Sequence, residues 1–320
     1  MKNCLVIIDG GTTNTSFRLI EDDKLIAESK RRVGATDAKS KNTVLKEIVK
    51  SEIENLQKKY DCKINDVYAS GMITSATGLK EIPHIPSPVT LKNLADNVQT
   101  HILDSMPEIR FHFVPGIRAE AGDGTGIDLI RGEETELFGA ADSGDEEKDL
   151  LFIHFGSHNK IIRMVKNSIQ AAETTLSGEL LWAICSDTIL KSSTPDLIGN
   201  DYILDAESMA KGFTDAQKHG FSRTLFLGRI AQVVQGKSPD QVLSAIFGAL
   251  TYLDYQAFSP MLTKGADKLV LYGRDTFIQA FYACLPLMSL DEKLTSNIEC
   301  ISFEESQRLS LKGILRLIKN

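Results

Sequence analysis

The first strongly apolar run is Cys4-Leu5-Val6-Ile7-Ile8, closed by Asp9. A solid run that short, bounded by a polar residue, predicts a strand buried on both faces. Further strands are predicted at Ser16–Ile20 and Leu25–Ser29, with Glu21-Asp22-Asp23-Lys24 as the hairpin turn between them. From Thr43 to Tyr60, Val44, Ile48, Ile53 and Leu56 recur at roughly helical spacing among charges. A strand follows at Asp66–Ser70 and runs into Gly71. Three prolines between Pro83 and Pro88 argue against regular structure there. Leu91–Asp104 reads as a helix and Arg110–Val114 as a strand ending at Pro115-Gly116. Gly132–Ala141 reads as a helix whose acidic start suits a helix N-terminus.

After a polar, turn-rich stretch at Ser143–Lys148 the opening pattern returns. Leu150–Phe155 is a buried-type strand, Gly156-Ser157-His158-Asn159-Lys160 is a glycine turn, and strands follow near Ile161–Val165 and Ile169–Thr174. The repeat is one of architecture, with low identity between the copies. The rest is mainly helical: Gly178–Ser186, Tyr202–His219, Phe221–Gln235 and Pro239–Phe258. A strand at Lys268–Tyr272, a helix at Thr276–Leu285 and an amphipathic helix at Phe303–Ile318 close the chain. The pattern predicts an α/β protein of two related lobes, residues 1–142 and 143–320, with a cleft between them.

With 320 residues, 42% of them hydrophobic, the chain is long enough for two packed cores. The net charge of −7 argues against a nucleic-acid partner. An anion must then be held by local donors rather than by a global positive field. Five widely spaced cysteines without a C-x-x-C pattern fit reduced thiols rather than a disulfide frame or a zinc site. The N-terminal apolar run is too short for a secretory signal, and no run is long enough to span a bilayer. A soluble, cytoplasmic protein without a membrane partner is expected.

Asp9-Gly10-Gly11-Thr12-Thr13-Asn14 directly follows a buried strand. The glycines permit close approach of the backbone, and the following N–H groups and hydroxyls can face phosphate oxygens. Asp9 is placed to hold Mg²⁺ directly or through water. An ordinary hairpin turn would use the same residue types. The second turn, Gly156-Ser157-His158-Asn159-Lys160, repeats the arrangement with a cation, and two such turns suggest a phosphate chain gripped from both lobes. In Arg131-Gly132-Glu133-Glu134-Thr135 the paired carboxylates either cap a helix or supply a general base for an alcohol. Leu269-Val270-Leu271-Tyr272-Gly273-Arg274 is a strand–glycine–helix joint where an adenosine could lie. Gly122-Asp123-Gly124-Thr125-Gly126 reads as a flexible loop with no strand leading in. There is no G-x-x-x-x-G-K-[ST] loop, and the six histidines show no metal-ligand spacing.

In order, Asp9-Gly-Gly-Thr-Thr-Asn14, Ser70-Gly-Met-Ile-Thr-Ser75, Val114-Pro-Gly-Ile-Arg118, Arg131-Gly-Glu-Glu-Thr135, Gly156-Ser-His-Asn-Lys160 and Ser177-Gly-Glu-Leu180 resemble the 2-dehydro-3-deoxygalactonokinase family. The resemblance departs from the family pattern at Gly10, Phe155, Ser157 and Cys185-Ser186-Asp187. It implies two actin-like, ribonuclease H-like lobes around an ATP cleft. It implies transfer of the γ-phosphoryl of ATP, with Mg²⁺, to the 6-hydroxyl of 2-dehydro-3-deoxy-D-galactonate. It places Asp9 at the metal and Gly10, Gly11, Thr12, Thr13, Asn14, Gly156, Ser157 and Lys160 at the phosphates, beside Gly273. Glu133 is the first choice for the base and Glu134 the second. Met72, Arg118, Arg131 and His158 are the substrate-binding candidates, the two arginines because a guanidinium grips a carboxylate in bidentate fashion. A homodimer is compatible with the sequence. The alternatives are a kinase for another sugar acid, a nucleotide or polyphosphate hydrolase, and a sugar-acid-binding protein with reduced catalysis.

Overall fold

Val6, Ile7 and Ile8 have no exposed surface, as a strand covered on both faces requires. In the computed structural model, which describes residues 2–34, 42–124, 126–142, 144–199 and 202–320, these residues belong to β1 (Lys2–Gly10). The first half continues with β2 (Thr15–Glu21), β3 (Lys24–Arg31), α1 (Asn42–Tyr60), β4 (Cys62–Gly71), β5 (Ile85–Pro86) and β6 (Val89–Thr90). It ends with α2 (Leu91–Asp96), β7 (Gln99–Leu103), β8 (Met106–Phe113), β9 (Ile117–Ala121), β10 (Ile127–Ile130) and α3 (Glu133–Ala140). The second half holds β11 (Asp149–Phe155), β12 (Asn159–Val165), β13 (Ser168–Thr175), α4 (Ser177–Asp187), α5 (Ala206–His219), α6 (Phe221–Gln235) and α7 (Pro239–Leu262). Then come β14 (Lys268–Gly273), α8 (Asp275–Cys284), α9 (Glu292–Thr295), β15 (Ile298–Cys300), α10 (Phe303–Ser306) and α11 (Leu309–Ile318).

The first sheet has the order β3-β2-β1-β4-β8-β7, and the second contains β13-β12-β11-β14-β15. In both, an antiparallel hairpin flanks one side of the inner strand and two parallel strands flank the other. This repeated topology is the α/β, two-lobed actin-like fold that the duplicated strand–turn pattern predicts. Gly10 at the end of β1 lies opposite Gly71, and Phe155 at the end of β11 lies opposite Gly273. The two glycine turns therefore occupy equivalent ends of the two sheets.

One face of each inner strand packs towards α11, joined at the second sheet by α3. Ile7 and Ile20 of the first sheet pack on Leu311 and Ile314 of α11. Leu150 and Phe152 of the second sheet share a core with Leu137 and Phe138 of α3 and with Leu309 and Leu317 of α11. So α3 and α11 lie between the sheets. A Cβ on Gly313 would overlap the carbonyl of Thr135, and one on Gly139 would overlap the carbonyl of Leu309. Only glycine at both positions lets these helices cross in backbone contact.

Strand pairing runs across residue 142. β9 pairs with β13, β5 pairs with β9 and β6 pairs with β13, so residues 85–90 and 117–130 extend the second sheet. The open edge of β13 takes them, and Ile117 and Ala119 are buried in the core of that lobe. In the other direction α11 returns to the first sheet. The expected helix Leu91–Asp104 also divides. It is capped by Asn97, and Gln99–Leu103 becomes an edge strand paired with β8, because backbone pairing outweighs a helical spacing that leaves Ile102 61% exposed. The proline stretch contributes the short strand β5. The Gly122–Gly126 loop joins β9 to β10, so a strand does lead into it; Thr125 lies outside the described residues. The closing helix is interrupted at Gln307 and Arg308. All five cysteines are free, and among the described residues no helix is long and apolar enough to cross a membrane.

Candidate active site

A cleft of about 470 Å³ opens where the ends of β1, β4 and β11 meet the start of α3. Its walls come from both lobes. Asp9, Gly10, Gly11, Thr12, Met72 and Arg131 stand on one side, with Glu133 and Glu136 on α3 at the floor. His154, Ser157, His158 and Lys160 stand on the other. The first turn is closed by the Gly11 N–H donating to the Asn14 carbonyl at 2.8 Å. Asn14 in turn donates to Thr13 Oγ1 at 3.0 Å. Thr13 and Asn14 thus shape the turn, and Asp9 to Thr12 reach the cleft. The second turn is closed by Asn159 Oδ1, which accepts from the Gly156 N–H at 3.1 Å.

The carboxylate of Glu133 is set by its own backbone start. Its Oε2 accepts from the Arg131 N–H at 3.0 Å. Its Oε1 points across the cleft, 3.9 Å from Lys160 Nζ and 3.9 Å from His154 Nδ1. Lys160 is 7% exposed and donates to Thr174 Oγ1 at 3.1 Å, so its ammonium is held at the end of a strand rather than at a mobile tip. Burial lowers the basicity of His154, so a neutral imidazole faces Glu133 at neutral pH. Burial, followed by the charge of Glu133, pushes the carboxyl of Glu136 well above the usual range. Ser310 of α11 donates to Asp9 Oδ2 at 2.9 Å, and the buried Arg18 approaches the same oxygen at 3.9 Å.

The sequence profile of the 2-keto-3-deoxy-galactonokinase family matches residues 9–302. This chain belongs to that family. The kinase is a phosphotransferase that acts on a small sugar acid. A protein of Rhizobium meliloti (strain 1021) named as a probable 2-dehydro-3-deoxygalactonokinase is 26% identical, over 97% of this chain and 96% of that protein. A crystal structure of a Sinorhizobium meliloti protein bearing the 2-dehydro-3-deoxygalactonokinase name superposes with a TM-score of 0.77. It has 21% identity and covers 98% of this chain and 99% of that one, so the fold is shared along the whole length.

Six expected site residues of the kinase are not among the cleft-lining residues: Thr13 and Asn14, which shape the first turn, and Glu134, Arg118, Gly156 and Gly273. Glu134 is fully buried and not among the cleft-lining residues. Its Oε2 accepts from the Gly132 N–H at 2.7 Å, and burial pushes its carboxyl up to about 8. It is a neutral internal cap for the start of α3. Arg118 is exposed on β9 and also absent from the lining. Arg131 does line the cleft, and its guanidinium also donates to the carbonyls of Thr74 at 2.8 Å and Ile82 at 2.9 Å. It braces the Met72–His84 loop beneath Met72. Gly156 and Gly273 sit behind the lining: the Arg274 N–H donates to the Phe155 carbonyl at 2.8 Å, bringing the two strand ends together.

Sequence reasoning missed two features. One is the aromatic lining, Trp182 and Tyr202, of a cavity of about 530 Å³ that also touches Arg274 and Thr276 of the expected adenosine joint. The other is Asp254, buried behind the second turn. α7 carries only Asp240 and Asp254 as charged residues in 24 positions, so a lone acid deep in an apolar helix was the available signal.

Proposed function

We propose that the kinase transfers the γ-phosphoryl of ATP to the 6-hydroxyl of 2-dehydro-3-deoxy-D-galactonate. The observation that carries this reading is the convergence of Glu133, Lys160 and both glycine turns on one cleft. Phosphoryl transfer asks a protein mainly for positioning and for neutralisation of charge. Backbone and hydroxyl donors of Gly11, Thr12 and Ser157, together with the Lys160 ammonium, suit the phosphate oxygens. Glu133 accepts the proton of the sugar hydroxyl as that oxygen becomes a nucleophile. Its approach to Lys160 and His154 aims it at the centre of the cleft. The cavity beside Gly273, with the Trp182 and Tyr202 rings and the Arg274 cation, suits a purine base stacked on aromatic surface.

The residues present also fit a hard divalent cation. Ser310 and Arg18 both engage Oδ2 of Asp9, and a carboxylate with water is the usual ligand set for Mg²⁺. Asp9 would hold Mg²⁺, which when bound neutralises phosphate charge. Met72, His158 and Arg131 lie where the sugar acid would enter, and Arg131 is the nearer guanidinium for its carboxylate. The test is ADP release, followed by a coupled assay, across a panel of 2-keto-3-deoxy sugar acids. Release that depends on the galactonate-derived acid supports the proposal. Equal release with no acceptor would point to a hydrolase.

A further inference from the structure

Asp254 lies on α7, 4% exposed, directly behind the second glycine turn. Its Oδ2 accepts from Asn159 Nδ2 at 2.7 Å. Its Oδ1 accepts from Thr175 Oγ1 at 2.6 Å and from Ser177 Oγ. Asn159 is itself fully buried, and its Oδ1 is the acceptor for the Gly156 N–H. One buried carboxylate therefore ties together the start of β12, the end of β13 and the start of α4.

We propose that Asp254 is the positioning residue of the second phosphate turn, acting through the amide of Asn159. The inference rests on the reading of residues 156–160 as a phosphate loop. A carboxylate only accepts hydrogen bonds, so the Asn159 NH₂ must face Asp254 and its carbonyl oxygen must face Gly156. The reversed amide would set donor against donor at Gly156, a costly arrangement in a buried site. Ser177 extends the same control to α4. There Gly178 lies so close to the carbonyls of Gly156 and Ser157 that a Cβ would overlap them, and the Glu179 N–H donates to the Ser157 carbonyl at 3.0 Å. The Ser177-Gly178-Glu179 run thus seats the turn on the helix. Burial raises the Asp254 carboxyl to about 6, while its three donors pull the other way.

The test exchanges the two side chains. In Asp254→Asn the new NH₂ must face either the Asn159 NH₂ or the Thr175 and Ser177 hydroxyls, all of which donate to Asp254, so the turn loses an anchor that accepts from all three. ATP affinity, read by titration calorimetry without acceptor, should fall about ten- to a hundredfold, the cost of misplacing a binding group by about an ångström. The change should appear in the KM for ATP more than in kcat. Amide hydrogen exchange at Gly156 should accelerate. The double variant Asn159→Asp with Asp254→Asn restores one acceptor facing each donor and should recover most of the affinity and the protection. Unchanged Gly156 exchange in Asp254→Asn, or a double variant no better than the single one, overturns the positioning role. If the exchange results hold and wild-type protein binds no ATP, the phosphate reading fails and the positioning role stands.

Discussion

Glu133 Oε1 stands 3.9 Å from Lys160 Nζ, with the carboxylate on α3 between the sheets and the ammonium on β12 of the second lobe. The pair spans the space where a donor phosphate and an acceptor hydroxyl must meet, so each member can be tested on its own chemistry.

Lys160→Met removes the only lysine among the described residues that line the cleft and should leave the fold in place, since Thr174 Oγ1 keeps its bond to Asp128 at 2.8 Å. Loss of a preorganised cation at developing charge costs about 10²–10³ in rate. Steady-state kinetics should show a fall of that size in kcat/KM for ATP, with a melting temperature within a few degrees of wild type. Unchanged kinetics would remove Lys160 from the site.

Asp9→Asn keeps an oxygen for the Ser310 hydroxyl and discards the charge. Turnover at saturating Mg·ATP should fall by orders of magnitude while circular dichroism stays native. The dependence on Mg²⁺ concentration should shift to higher values. Wild-type turnover in this variant would separate Asp9 from the metal.

Gly313→Ala places a methyl against the carbonyl of Thr135, where α3 and α11 touch. Overpacking of this kind costs about 1–3 kcal/mol. A urea titration should show a lower midpoint, and activity should fall with it because α3 carries Glu133. A midpoint equal to wild type would mean that the helix crossing yields easily.

Glu134 gives a pH dependence with a defined sign. Its carboxyl is raised to about 8 in the folded protein, above the ordinary glutamate value near 4.5. The folded state therefore holds a proton that the unfolded state releases. This contribution is complete below the ordinary value and is lost as pH rises towards 8, at a slope of about 1 kcal/mol per pH unit. In Glu134→Gln the proton is absent in both states, so unfolding free energy measured from pH 5 to 8 should decline less steeply than in wild type. Parallel slopes would contradict the assignment.

Both glycine turns and the inner strands were legible in the sequence because each is encoded in one short run. A buried strand, a glycine and a polar tail are local features, and their recurrence at residues 4–14 and 150–160 announced two equivalent sheets. What was not legible is non-local. The pairing of β9 with β13 joins Glu120 to Ala171, and no periodicity in either segment records it. Gln99–Leu103 keeps a helical spacing and is a strand only because β8 offers an edge. Asp254 reaches Asn159 across 95 positions. Which of Glu133 and Glu134 is enclosed is likewise a property of packing that two adjacent identical residues cannot reveal.

Removal of the acceptor hydroxyl's proton by Glu133 is tested most directly by ADP release from Glu133→Gln at saturating ATP and sugar acid. A base acts in the transition state, so kcat should fall by about 10²–10⁴ while KM for the sugar acid changes little. A kcat within a few-fold of wild type, or a loss confined to KM, would contradict the account.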